Sequence, residues 1–406
     1  MGIMPILVVC MEVNNFEDIR PYTDSEVKPA IERILKEPLL YDVMAYVYPD
    51  LSRVDIHDML SEISTVTEFQ EEISGPAFKE LAQRTTSGLT FTGMNELEKG
   101  QAYLFLSNHR DIVLDSALLN VSLLEKGFET TQIAIGSNLL KNPIIKDIVR
   151  LNKNFIVNRD INPREVLASS QVLSTYIRNT LEKNNTSIWI AHREGRSKDG
   201  DDRTAGALLK MLTMSGEDSL EKSLKSLNIR PMVVSYENDP CDIMKAAEIM
   251  SKQVNGTYEK HPLEDYKSMM TGLKGHKGRV NISLCPSINP KLKELKKIEN
   301  KNDKIKELAA HIDSEMHKHY KLWPSNFIAY DLLYGREFGN EYNRIQRIAF
   351  RRFMTQAVLK LLVVRKKLNL PREGFQKMAR ETLLQMYAFP VQNWKEAVAE
   401  KEESIL

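Results

Sequence analysis

One histidine and two aspartates stand together where an apolar run gives way to a helical pattern. Residues 108–115 read Asn-His-Arg-Asp-Ile-Val-Leu-Asp and follow the run 102–106, which is typical of a buried strand. A strand end is a rigid mount, and a nearby carboxylate can fix the tautomer of a histidine. The spacing therefore predicts a general base, His109, that is oriented by Asp111 or Asp115.

Three further apolar runs also end in or carry residues that could do chemistry. Residues 188–191 run into a loop rich in cations and glycine at 192–198, Arg159 follows the run 155–157, and Pro231 opens the run 231–236. The arginine fork suits phosphate. In open α/β sheets, sites gather at the carboxyl ends of the strands. Together these runs predict a base beside an anion-binding loop.

The elements that must position these residues alternate along the chain. Short β-rich runs lie at 103–106, 132–135, 155–157, 187–191, 231–236 and 280–284, with helical patterns such as 164–182 and 204–214 between them. This alternation predicts an α/β fold with a mostly parallel sheet flanked by helices. We predict three units: a helical N-terminal region at 1–87, the α/β domain at 88–290 and a helical C-terminal region at 291–406.

The order of the four motifs resembles the phospholipid/glycerol acyltransferase family over roughly residues 89–237. The family's first motif is a histidine followed after four residues by aspartate and usually preceded by asparagine, and 108–115 is similar to it. Its apolar pair ending in arginine, its Glu-Gly-x-Arg-Ser loop and its proline-led strand resemble 155–159, 194–197 and 231–237. The resemblance implies the glycerol-phosphate acyltransferase fold.

Two departures from the family pattern leave assignments open. Five residues instead of four lie between His109 and Asp115, so Asp111 remains an alternative partner of the histidine. The loop 194–197 is one residue shorter than usual, so any of three cations could meet a phosphate: Arg193, Arg196 and Lys198.

The resemblance implies transfer of an acyl group from acyl-CoA or acyl carrier protein to a hydroxyl of glycerol 3-phosphate or its 1-acyl derivative, in phospholipid synthesis. His109 would remove the proton of that hydroxyl, and no metal or cofactor is expected besides the donor substrate. The residues implied to bind the phosphate are Arg159, Glu194, Gly195, Arg196, Ser197 and Lys198. The other residues implied to contact substrate are Asn108, Arg110, Arg193 and Pro231.

Bulk composition restricts the partners and the compartment. The 56 basic and 55 acidic residues nearly cancel, so no global charge favours nucleic acid. The three cysteines (Cys10, Cys241 and Cys285) are far apart, which indicates a reducing compartment and no disulfide or zinc framework. The apolar start at 3–10 is too short for a signal peptide. We expect a cytoplasmic protein.

A basic segment near the C-terminus predicts peripheral membrane association. Residues 344–367 carry eight basic residues and no acidic one, interleaved with apolar residues. A helix of this composition can lie among anionic headgroups. The alternative is a core-packed helix with a basic outer face, and both remain open.

Two rival functions follow from the same residues. His109, Asp111, His192 and Glu194 could in principle gather around a divalent cation in a metal-dependent hydrolase, although these four residues form no HxH or HExxH spacing. The second rival is a non-catalytic lipid-binding module on the same scaffold.

Overall fold

A computed structural model of the protein describes residues 16–403 except Asp160 and Asp218. The apolar start at 3–10, and with it Cys10, lies outside the described residues, and so does the signal-peptide interpretation of that segment.

In the described part of the chain, seven strands form one sheet in the order β1-β7-β6-β2-β5-β3-β4. Their bounds are β1 Gly88–Thr92, β2 Leu104–Ser107, β3 Gln132–Gly136, β4 Asn154–Val157, β5 Ile188–Ala191, β6 Ile229–Tyr236 and β7 Arg279–Leu284. Five strands (β2 to β6) are mutually parallel, β7 pairs antiparallel with β6, and β1 pairs parallel with β7. The predicted mostly parallel sheet is confirmed.

The central strand β2 shows why the apolar runs become strands. All four of its residues are buried, and successive side chains point to opposite faces of a sheet. Leu104 and Leu106 belong to the core on one face, whereas Phe105 joins Trp189 in the core on the other. A strand that is covered on both faces requires a continuous apolar run rather than an alternating one.

The helices between the strands cover both faces of the sheet. Their bounds are α6 Leu114–Glu125, α7 Pro143–Leu151, α8 Val166–Glu182, α9 Gly206–Leu212, α10 Leu220–Lys225, α11 Asp242–Asn255 and α12 Glu264–Lys274. Apolar residues of α8 and α9 pack against Leu104 and Leu106, and those of α6 pack against Phe105. Short 3₁₀ turns lie at Met94–Glu96 and Ser137–Leu139.

The chain before β1 is helical, as expected. It comprises α1 Asp24–Ile34, α2 Pro38–Val47, α3 Arg53–Glu62, α4 Val66–Glu68, a π-helical turn Phe69–Ser74 and α5 Gly75–Thr85. These helices bury a core of their own that includes Ile31, Ile56 and Phe69 and also takes in Leu151 of α7.

The chain after β7 is also helical. It comprises α13 Asn289–Glu294, a 3₁₀ turn Leu295–Lys297, α14 Lys301–His319, α15 Pro324–Tyr334, α16 Arg344–Val364, a 3₁₀ turn Arg365–Leu368 and α17 Phe375–Glu403. The helix α14 packs on the sheet face of Leu104, whereas α15, α16 and α17 share a separate core with α11. The division at 87/88 and 290/291 stays a prediction. No helix in the described part of the chain is long and apolar enough to cross a membrane.

Candidate active site

The parallel strands bring the predicted site residues to one edge of the sheet. Because β2, β4, β5 and β6 run in the same direction, their carboxyl ends lie at the same edge. Residues 108–111 follow β2, Arg159 follows β4, the loop 192–198 follows β5, and Glu237 follows β6. This common edge is where the sequence predicted the site.

His109 is paired with Asp115. The imidazole Nδ1 lies 2.9 Å from Asp115 Oδ2, and the His109 side chain keeps 16% of its surface exposed while that of Asp115 is fully buried. With Asp115 ionised, Nδ1–H donates to it, and Nε2 is left as the acceptor. Trp189 of β5 packs edge-on against the imidazole, with ring centroids 5.5 Å apart. The pair has the geometry of a general base and its orienting carboxylate.

Asp111 stabilises the turn that follows His109. Its Oδ1 accepts hydrogen bonds from the backbone N–H groups of Val113 and Leu114, both at 2.9 Å. The turn at 110–113 thus closes on the Asp111 side chain before α6 begins. Burial and the nearby charge of Asp115 raise the pKa of Asp111. Of the two candidates, the structure places Asp115 beside His109.

The Asp115 carboxylate is saturated with donors. Its Oδ2 also accepts from the backbone N–H groups of Arg110 at 2.6 Å and Asp111 at 2.9 Å. Its Oδ1 accepts from the hydroxyl of Tyr236 at 2.8 Å. A carboxylate with this many donors is held in one orientation.

Two of the predicted phosphate-binding residues are paired with each other, and a third pairs with a helix. The guanidinium of Arg159 forms a salt bridge with Glu194, whose side chain is largely exposed. Lys198 forms a salt bridge with Glu248 of α11, and burial lowers the pKa of this lysine. Neither cation is free for a phosphate unless it gives up its carboxylate.

Arg196 has a neutral partner instead. Its guanidinium donates to the hydroxyl of Ser268 in α12 at 2.7 Å, and among the described residues no salt bridge to Arg196 is found. Gly195, which precedes it, has φ +73° with open space around its α-carbon, a conformation that glycine adopts without strain. The loop therefore presents Arg196 at the site edge with its charge uncompensated by a contacting carboxylate.

Comparison with known proteins bears on the same segment. The family model described as Acyltransferase matches residues 88–214, which contain the first three motifs with His109, Arg159 and the loop 194–197. The 1-acyl-sn-glycerophosphate (LPA) acyltransferase PlsC from Thermotoga maritima, a solved crystal structure, is 13% identical, with 71% of this chain and 93% of that chain covered and a TM-score of 0.33. No curated protein matches the chain.

Several predicted residues of this segment and of strand β6 are buried beneath the site. Asn108 is fully buried, and its amide exchanges two hydrogen bonds with the backbone of Val234, at 2.8 and 3.1 Å. Pro231 is buried in β6, level with Leu106 of β2. The backbone N–H of Ser197 donates to the carbonyl of His109 at 2.8 Å. These residues join β2, β5 and β6 below the histidine.

A buried charged cluster around Arg110 escaped the sequence interpretation. Arg110 lies 3.8 Å from Asp202 and 3.9 Å from Asp239. Although burial opposes it, the charges of the surrounding groups raise the pKa of Arg110. Lys245 of α11 forms a salt bridge with Asp239 and donates to the Arg110 carbonyl at 2.8 Å. Asp202, Asp239 and Lys245 lie outside the four motifs and far from Arg110 in sequence, so no local pattern indicates that they meet it.

The residues of the rival metal site are dispersed. His192 is fully buried, its Nε2 has no hydrogen-bond partner, and burial lowers its pKa to about 4. Glu194 is engaged with Arg159. Within the described residues, no group of three or more histidine, cysteine, aspartate or glutamate side chains is arranged to hold a metal ion.

Proposed function

We propose that this protein is an O-acyltransferase that moves a fatty acyl group from an acyl thioester to a hydroxyl of glycerol 3-phosphate or 1-acylglycerol 3-phosphate. The observation that carries the proposal is the His109–Asp115 pair at 2.9 Å, with the imidazole partly exposed and the carboxylate buried. The acyltransferase family model, which matches the segment containing both residues, supports the same reaction type.

The geometry supports a direct transfer. His109 Nε2 removes the proton of the acceptor hydroxyl as its oxygen attacks the thioester carbonyl. The resulting imidazolium is stabilised by Asp115, and it gives the proton to the departing thiolate as the tetrahedral adduct collapses, so that the free thiol is released. A thioester is already activated, so the step needs no enzyme nucleophile. General-base help of this kind contributes about 10² to 10⁴ in rate.

Arg196 is the proposed primary ligand of the acceptor's phosphate. Its contact with Ser268 is neutral, so a phosphate can bind without first displacing a carboxylate. Arg159 is a second ligand once it exchanges Glu194 for the phosphate. Charge-assisted hydrogen bonds are worth about 1.5–3 kcal/mol, which corresponds to roughly a 10- to 150-fold loss of kcat/KM in Arg196→Ala.

The Arg196→Ala measurement compares two acceptors, glycerol 3-phosphate and glycerol. The loss should appear mainly in KM for the phosphorylated acceptor and be absent for glycerol. Ser268→Ala is the matched control, since it removes the partner of Arg196 but keeps its charge. Equal losses with both acceptors would contradict the phosphate assignment.

The decisive test of the reaction is acceptor-dependent thiol release. Palmitoyl-CoA and palmitoyl-acyl carrier protein are each offered with glycerol 3-phosphate and with 1-acylglycerol 3-phosphate, with and without EDTA. We expect EDTA-resistant release that disappears in His109→Ala and in Asp115→Ala but persists in His57→Ala, which changes an exposed histidine of α3. Release without acceptor, or release abolished by EDTA, would refute the proposal.

We further propose that α16 holds the enzyme on an anionic membrane surface. One side of this helix is buried against α11, α15 and α17 through Phe350, Met354, Ala357 and Leu361. A second apolar stripe faces outward, namely Ile345 (78% exposed), Ile348 (43%), Leu359 (56%) and Val363 (78%). At about 100° per residue, the two stripes lie on opposite sides of the helix.

Exposed cations flank the outward stripe. They are Arg344, Arg351, Arg352, Lys360, Lys366 and Lys367. Each basic residue near an anionic surface contributes about 1 kcal/mol, and the apolar stripe can enter the headgroup boundary. The helix is thus packed on the core and also exposes a basic apolar face, which supports the proposed membrane contact.

Vesicle sedimentation tests this surface. We expect binding to phosphatidylcholine vesicles that contain a quarter phosphatidylglycerol, weakened by salt, and no binding to pure phosphatidylcholine. The double variant Ile345→Ser, Val363→Ser should bind about tenfold more weakly or worse, because each side chain buries apolar surface worth about 1–2 kcal/mol. Val54→Ser, at a 67% exposed position of α3, is the matched control. Unchanged binding of the double variant would contradict the assignment.

A further inference from the structure

Tyr236 makes a contact that the proposed mechanism does not yet use. It is the last residue of β6 and is 4% exposed. Its hydroxyl donates to Asp115 Oδ1 at 2.8 Å, while Asp115 Oδ2 takes the three donors from the His109 turn. Oδ1 therefore faces β6, and the tyrosine hydroxyl is the donor that the structure gives it.

We propose that Tyr236 is a positioning residue that sets, through Asp115, how tightly His109 holds a proton. This inference rests on the proposed function, since it concerns the base of that reaction. A hydrogen bond to Oδ1 disperses the negative charge of the carboxylate and fixes the plane in which Oδ2 meets the imidazole. When the phenol hydroxyl is removed, more charge stays on Oδ2 and the protonated imidazole is held more tightly.

Other titratable groups surround the Tyr236–Asp115 hydrogen bond, and their charges also influence how tightly His109 holds a proton. Asp111 and Asp239 lie near Tyr236. Asp115, Asp202, Asp239 and Tyr320 surround Arg110, and the buried His192 lies near His109 and Asp202. Arg110 opposes the negative charges of Asp111 and Asp239. Tyr236→Phe leaves all of these charges in place, so its effect reports the single hydrogen bond.

The test is the pH dependence of kcat/KM for acyl transfer in Tyr236→Phe and in the wild type. Two to three hydrogen bonds to a carboxylate together shift its ionisation by about 2 pH units, so one bond, transmitted to the neighbouring histidine, should shift the midpoint of the rising limb upward by about 0.5 pH unit. At pH values above the rising limb, kcat/KM of Tyr236→Phe should be about tenfold lower than that of the wild type, because one hydrogen bond to a charged group is worth about that factor in rate.

Two further variants separate tuning from packing. Tyr176→Phe is the matched control, because Tyr176 is also buried and its hydroxyl donates to Gln132 in β3 at 2.6 Å; it should leave the midpoint unchanged. Incorporation of 3-fluorotyrosine at position 236 makes the phenol a stronger donor and should move the midpoint downward. Thermal melting of each protein checks that it is folded.

A direct titration keeps the inference separable from the proposed reaction. The imidazole resonance of His109, identified by its loss in His109→Gln, should titrate at higher pH in Tyr236→Phe than in the wild type. If the wild type transfers no acyl group, the proposed function fails, while this titration still judges the role of Tyr236. An unchanged midpoint in folded Tyr236→Phe, by rate or by resonance, overturns the inference.

Discussion

Gly272 of α12 lies against the Asp111 side chain so closely that alanine should be costly there. A β-carbon at Gly272 would lie 2.0 Å from Asp111 Oδ2 and 3.0 Å from its Cγ. Relief of this overlap requires the carboxyl group to move by more than about 1 Å, because non-bonded heavy atoms pack at about 3.5 Å. The carboxyl group is also the one that closes the turn before α6.

The magnitude follows from what the carboxyl group would lose. Its two hydrogen bonds from Val113 and Leu114 are worth about 1.5–3 kcal/mol each, and alanine in place of glycine within a helix returns about 1 kcal/mol. We expect Gly272→Ala to lower the free energy of unfolding by about 2–5 kcal/mol, measured by urea denaturation. Since the turn carries His109, acyl transfer should fall as well.

A double-mutant cycle with Asp111→Ala isolates the overlap. When the carboxyl group is absent, the added methyl group has space, and Gly272→Ala should then be neutral or stabilising by up to about 1 kcal/mol. A penalty of the same size in both backgrounds, or no penalty in the wild-type background, would refute this account of why glycine occupies the position.

Three further predictions concern stability. Burial and the charge of Asp239 raise the pKa of Asp242 to about 7, so the native state keeps a proton that the unfolded chain loses near pH 4. Stability then declines as pH rises through this window, and Asp242→Asn should gain on the wild type between pH 4 and 7 by at most about 4 kcal/mol. Burial lowers the pKa of His192 to about 4, so the wild type instead loses stability as the pH falls from 6.5 to 4. Over that fall, the free energy of unfolding of His192→Gln should rise relative to the wild type by at most about 3 kcal/mol. Urea denaturation at a series of pH values checks both predictions. A difference in unfolding free energy between variant and wild type that does not change with pH would contradict them. Gly200 has φ +91°, and a β-carbon there would lie 2.6 Å from the Met386 carbonyl oxygen, so Gly200→Ala should melt well below Gly100→Ala. Gly100 has φ +78° and open space, so its variant reports backbone strain of about 1–2 kcal/mol alone. Equal melting temperatures would exclude the close contact as the cause.

The sheet and the location of its site could be predicted from sequence because they rest on local patterns. A strand such as β2, buried on both faces, requires a continuous apolar run, and the polar residues that follow it must then emerge at the strand's end. Since parallel strands present their carboxyl ends together, four separate motifs indicated one edge.

The partner of His109 could not be fixed in the same way. Asp111 and Asp115 are both close enough in sequence, and the choice depends on whether the turn between them closes on a side chain. It does so through backbone N–H groups of Val113 and Leu114, a contact that residue types alone leave open. Tyr236 was similarly hidden, because its hydroxyl meets Asp115 across 121 residues of chain.

The position of β1 has a consequence for how the chain reaches its native state. Among the strands of the described residues, β1 pairs with β7 alone, and Gly88 lies opposite Arg279. A ribosome that adds about 5–20 residues per second needs about 10–40 s to make the intervening segment. During that interval β1 has no strand to pair with, and the cost of closing so long a loop slows its docking. Completion of this edge of the sheet should therefore be a late event in biogenesis, and chaperones that bind unpaired strands have their longest opportunity here.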